Sequence, residues 1–91
     1  MRVHGTVYDE TRSGIPAVLV SNGEEAVLTD SKGGYEIIAE PGVHSFIFIS
    51  VPDMYRPEDT FYQAVPSGTK KPLDFTLLTD VDKTNEEFVL A

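Results

Sequence analysis

Apolar positions in this chain recur at every second residue, in short runs broken by glycine, proline, asparagine and aspartate. That is the period at which a strand turns successive side chains to opposite faces. Over Arg2–Asp9, Val3, Gly5 and Val7 alternate with His4, Thr6 and Tyr8, which predicts a first strand. Gly5 inside it points to a bulge or to close approach of another backbone. Gly14 to Ile37 predicts three more strands and two turns. Ala17–Asn22 puts Val18 and Val20 on one face and Leu19 on the other. Ala26–Thr29 runs back after Gly23, Glu24 and Glu25. Asp30-Ser31-Lys32-Gly33-Gly34 turns the chain again, and Tyr35–Ala39 places Tyr35, Ile37 and Ala39 on one face. Gly33 and Gly34 suit a positive φ there, and Asp30 can bond the backbone two residues on.

His44–Val51 departs from this pattern. Phe46 and Phe48 share one face, and Ile47, Ile49 and Val51 share the other, so both faces are apolar. Such a strand is covered on both sides or has lost its cover. Pro52–Thr69 follows with three prolines and scattered aromatics, and reads as a long connection with a short irregular strand near Phe61–Ala64. Leu73–Leu78 alternates once more. Thr79–Asn85 is polar and acidic, a linker by composition, and Glu86–Ala91 starts another apolar strand. No window keeps a helical period, because proline and glycine interrupt it. The expectation is an all-β fold, an antiparallel β-sandwich of seven or eight strands. Val3, Val7, Val18, Val20, Val27, Tyr35, Ile37, Phe75 and Leu77 should line its core. Either Phe46 and Phe48 or Ile47 and Ile49 should join them, and register decides which.

Ninety-one residues suit one domain. The net charge of −8 argues against nucleic acid or an anionic membrane surface as partner, since phosphate binding needs clustered Lys and Arg. No apolar run approaches a membrane span. With no cysteine, neither a disulfide nor a thiolate metal site can form. Most carboxylates, among them Asp9, Glu10, Glu24, Glu25, Asp30, Asp53, Glu58, Asp59, Asp80 and Asp82, fall in predicted turns or loops, where aspartate and asparagine serve the backbone. Asp30-Ser31-Lys32-Gly33 lacks the alternating oxygen ligands of a calcium loop and carries a lysine in its middle. His4 and His44 lie far apart, with no partner at metal-ligand spacing. No nucleophile elbow or phosphate-cradling loop is present. The residues that could carry function are aromatic: Tyr55, Phe61 and Tyr62 could stack on a sugar, dock another domain, or fold back and cap the sandwich.

The motifs Val3-x-Gly5-x-Val7-x-Asp9, Gly14-Ile15-Pro16-x-Val18-x-Val20-Ser21-Asn22-Gly23 and Val27-x-Thr29-Asp30-x-x-Gly33-x-Tyr35 resemble the carboxypeptidase regulatory-like and prealbumin-like (transthyretin-like) sandwich domains. Phe46-Ile47-Phe48-Ile49-Ser50-Val51-Pro52-x-x-Tyr55, followed by Phe61-Tyr62, is similar to the N-terminal domain of bacterial, Bacteroides-type, calcineurin-like metallophosphoesterases. Phe88-Val89-Leu90-Ala91 is similar to the first strand of the catalytic domain that follows. The resemblance implies a sandwich over residues 1–79, an acidic linker over 80–85, and the start of a phosphoesterase strand over 86–91. It implies a non-catalytic accessory domain that packs on its own C-terminal phosphoesterase domain, in an extracytoplasmic protein. The family's metal motifs, D-x-H, G-D-x-x-D, G-N-H and G-H-x-H, have no counterpart here. Divalent metals are therefore expected only in the catalytic domain, with no cofactor and no catalytic residue in this chain. Candidate interdomain or ligand contacts are Ile47, Ile49, Val51, Tyr55, Phe61 and Tyr62. The alternative is a module that binds a glycan or cell-surface ligand. A docking module should show one apolar patch on a sheet face, and a sugar binder coplanar aromatics in a groove. The apolar strand at 86–91 could also pair with the edge of a second molecule.

Overall fold

A computed structural model describes residues 2–42, 45–65 and 71–80. Among them are eight strands and no helix: β1 (Arg2–Tyr8), β2 (Leu19–Ser21), β3 (Ala26–Leu28), β4 (Gly34–Ile38), β5 (Phe46–Ile49), β6 (Tyr55–Pro57), β7 (Tyr62–Ala64) and β8 (Phe75–Thr79). They form two four-stranded sheets, in the orders β4-β1-β8-β6 and β3-β2-β5-β7. The strand expected at 86–91, and all but the first two residues of the acidic stretch before it, lie outside the described residues.

The alternating pattern sets the core. Val3, Val7, Val18, Val20, Tyr35, Ile37, Phe75 and Leu77 are all buried, and Val27 is half-buried against them. β5 takes the register that sends Ile47 and Ile49 inward, where they are 0% and 4% exposed. Phe46 and Phe48 take the outer face. The first sheet meets the second through polar links as well. Thr29 is buried, donates its hydroxyl to the Ile15 carbonyl and accepts the Val18 N–H at 2.8 Å. Gln63 of β7 donates its side-chain amide to the Asp74 carbonyl. Asp74 in turn accepts the Thr6 N–H, which fixes the entry to β8 beside β1.

Two features differ from the sequence reading. β1 and β8 pair in parallel, Val7 with Phe75 and Tyr8 with Thr76, so the sheets are mainly but not wholly antiparallel. Alternation carries no information about strand direction. Second, the long connection contains β6, which pairs antiparallel with β8. Pro57 hid it, yet β6 is an edge strand, where a missing N–H leaves no ladder bond unmade. At the Asp30 turn only Gly33 takes a positive φ, at 80°.

A candidate interaction surface

The outward side of β3-β2-β5-β7 is the functional candidate. Its strands contain no charged residue, in a chain that has seven basic and fifteen acidic ones. Register sets the face. Leu19 lies opposite Leu28, Ser21 opposite both Ala26 and Phe48, Phe48 opposite Tyr62, and Phe46 opposite Ala64. Leu28 is 62% exposed, Tyr62 48%, Leu19 42% and Phe46 37%. The face thus runs across all four strands as an apolar band. On the other sheet the outward positions are mixed. There Arg2 pairs with Glu36 at 2.7 Å, His4 lies opposite Glu36 across β1 and β4, and Arg56 stands on the edge strand β6. A half-solvated antiparallel sheet ordinarily looks like that second face. An uncharged outer face wider than a few side chains marks a contact surface.

The aromatics at one side of the band hold each other. Tyr62 packs edge-to-face against Phe46, with centroids 5.9 Å apart at 78°, and against Phe61 at 5.2 Å and 74°. Phe61 is half exposed just before β7, and its carbonyl accepts the Ile49 N–H. Tyr62 thus stands nearly at right angles to both phenylalanines, and the three rings together do not form a coplanar platform on which a sugar ring stacks.

The structure sorts the expected contact residues. Phe61 and Tyr62 reach this surface. Ile47 and Ile49 do not: they are in the core, so their place in a contact surface is corrected by the register of β5. Val51 and Tyr55 are half-buried hydrophobics packed against the core, and Tyr55 belongs to β6 in the other sheet. The residues that replace them, Leu19, Leu28, Phe46 and Phe48, carried a signal. Each is apolar at a position out of phase with the core.

Two aspartates serve turns. Asp30 accepts the Lys32 and Gly34 N–H groups at 2.8 and 2.9 Å, and these bonds, Gly34's foremost, hold its pKa below the usual value. Asp9 is lowered likewise, first by the Thr11 hydroxyl. Glu58, Asp59 and Asp74 border an open groove beside Gln63. Among the described residues no three of His, Cys, Asp or Glu converge as a metal site would require.

A family model described as the N terminal of calcineurin-like phosphoesterase matches residues 1–80. No curated protein matches the chain.

Proposed function

The chain belongs to the family of N-terminal domains of calcineurin-like phosphoesterases, and from that premise we propose that it is a non-catalytic accessory module docked on a phosphoesterase domain. In this reading the outward face of β3-β2-β5-β7 is the docking surface. The observation that carries it is the charge-free band through Leu28, Leu19, Phe48, Phe46 and Tyr62. Covering such a band contributes roughly 25 cal/mol for each Å² of apolar surface removed from water. Against water the same band is a solubility liability, and a permanently joined domain is a partner that removes it. The divalent metals and the hydrolytic chemistry then reside in the phosphoesterase domain. The two four-stranded sheets suit a prealbumin-like sandwich, and an extracytoplasmic setting goes with the same family resemblance.

The glycan-binding alternative draws less support, because Phe46, Phe61 and Tyr62 meet edge-to-face. The test uses the protein that carries both domains. Leu19→Lys with Phe48→Lys should split one cooperative thermal transition into two, or lower the transition of the phosphoesterase domain. Variants that unfold in one transition with the wild-type midpoint would overturn the docking surface.

A further inference from the structure

Each sheet ends in two edge strands, β4 and β6 on the first and β3 and β7 on the second. An edge strand turns the N–H and C=O of every second residue away from its neighbour, where another strand can take them. Three of these edges are obstructed. On β4, Gly34 gives its N–H to the Asp30 side chain and its carbonyl accepts the Asp30 N–H, both at 2.9 Å. The Ile38 carbonyl on the same edge accepts the Asn22 side-chain amide at 2.6 Å. On β6 the outward residues are Tyr55, whose N–H goes to the Pro52 carbonyl, and Pro57, which has none to give. On β7 the Tyr62 N–H turns back to the Thr60 hydroxyl at 3.2 Å.

Among the described residues β3 has no such device. Val27 pairs with Val20, and on either side the Asn22 N–H goes to the Glu25 carbonyl and the Thr29 N–H to the Val18 carbonyl. Glu25, Val27 and Thr29 therefore face β2, and the N–H and C=O groups of Ala26 and Leu28 face outward. No described residue bonds to those outward groups. Both residues are exposed, and β3 carries neither the charge nor the proline that keeps edges apart.

We propose that β3 pairs antiparallel with β3 of a second copy of this chain, about a two-fold axis at Val27. The edge is complementary to itself, as such an axis requires. In that register Ala26 of one copy lies opposite Leu28 of the other, and every outward N–H meets an outward carbonyl. On the outer face a large apolar side chain then lies against a small one, with no charge in the seam. A slide of one residue sets outward groups against groups already bonded to β2. A slide of two sets Leu28 opposite Glu24, or Ala26 opposite Asp30, outside the strand. The two sheets join into one of eight strands. The seam uses the sheet edge, so it stands whether or not the sheet face docks a phosphoesterase domain. The charge of −8 on each copy opposes the pairing, which therefore strengthens as salt screens it.

Two measurements on the full chain test this. The first is amide hydrogen exchange over a protein concentration series, and it needs no substitution. The Ala26 and Leu28 amides should exchange several-fold more slowly at high concentration, whereas the Glu36 amide, outward on β4, should keep one rate. The second reads the register by disulfide formation, in a chain that has no cysteine of its own. Val27→Cys should crosslink about tenfold faster than Ala26→Cys, because only residues facing each other across the axis come within disulfide reach. Adding Ala26→Pro to Val27→Cys should remove that excess, since the lost N–H serves the seam and no bond within one copy. Adding Leu19→Lys, one strand in from the edge, should leave it. Exchange at Ala26 and Leu28 that does not depend on concentration would overturn the proposal. So would equal crosslinking at the two positions, or a crosslink indifferent to Ala26→Pro. Loss of the crosslink through Leu19→Lys would place self-association on the sheet face and would overturn it as well.

Discussion

The hydroxyl of Tyr35 on β4 donates to the carbonyl oxygen of Leu73, the residue that leads the chain into β8. The same carbonyl lies directly over Gly5 of β1, where a Cβ would fall inside its contact distance. Leu73 also donates its N–H to the His4 carbonyl at 2.9 Å. Three strands that are far apart in sequence are therefore locked at one point, and only a residue without a side chain fits at its centre.

Gly5→Ala should destabilise the domain by roughly 1–3 kcal/mol, as overpacking against backbone does. The cost is steric, since Gly5 does not have a positive φ. A lower urea midpoint with an unchanged slope would show it. Wild-type behaviour would mean that Leu73 can move away at no cost.

Tyr35→Phe keeps the ring and leaves the Leu73 carbonyl without its donor. The expected loss is about 1–3 kcal/mol at neutral pH. Burial, and then the charge of Asp74, push the Tyr35 pKa well above its ordinary value of 10. A raised folded-state pKa contributes stability that is fully present below pH 10 and is lost as pH rises above it. Wild-type stability should therefore decline above pH 10, and Tyr35→Phe should flatten that decline. Chemical denaturation across that range decides the matter.

At the acid end the sign reverses. The carboxylates of Asp30 and Asp9 are held below the ordinary aspartate value of 3.8 by the turn bonds they accept. Their contribution is present above that value and is lost as pH falls through the depressed one. Melting temperature should drop below pH 3.8, and Asp30→Ala should lower it at neutral pH while reducing the acid sensitivity. An acid profile identical in wild type and Asp30→Ala would contradict this.

Much of this frame was legible in the sequence, because alternation reports burial directly. Val18 and Val20 point inward and Leu19 outward, as their phase requires. Gly5, a glycine inside a strand, points to a bulge or a close backbone approach, and the Leu73 carbonyl is what approaches it. β5 defeats the pattern, since four consecutive apolar residues carry no phase: alternation leaves both pairs open, and only the register shows that Ile47 and Ile49 turn inward and Phe46 and Phe48 outward. The parallel pairing of β1 with β8 was hidden because side-chain alternation is the same in either strand direction. β6 was hidden by Pro57, whose meaning depends on whether a strand lies at an edge.

A pair of neighbours offers a direct test of that phase. Val20 is 0% exposed and Leu19 is 42% exposed. Val20→Ala should cost about 1–3 kcal/mol through lost burial and a cavity. Leu19→Ala should stay within about 0.5 kcal/mol in the same denaturation experiment, as surface changes usually do. Equal costs at both positions would refute the register of β2.

The apolar band should betray itself when nothing covers it. Leu19 and Leu28 face each other across β2 and β3 and contribute nothing to the buried core. Replacing them, as Leu19→Lys with Leu28→Lys, leaves that core intact. Thermal stability of residues 1–91 at low concentration should therefore change little, by about 0.5 kcal/mol or less for each substitution. The behaviour at high concentration should change much more. Exposed apolar faces associate, and two lysines on β2 and the edge strand β3 make self-pairing through that side of the face a like-charge contact. Sedimentation velocity over a concentration series should show wild-type self-association that the double variant lacks. A wild-type chain that stays monomeric at high concentration would remove the driving force assigned to the band. A variant that is monomeric but strongly destabilised would show instead that Leu19 and Leu28 support the fold itself.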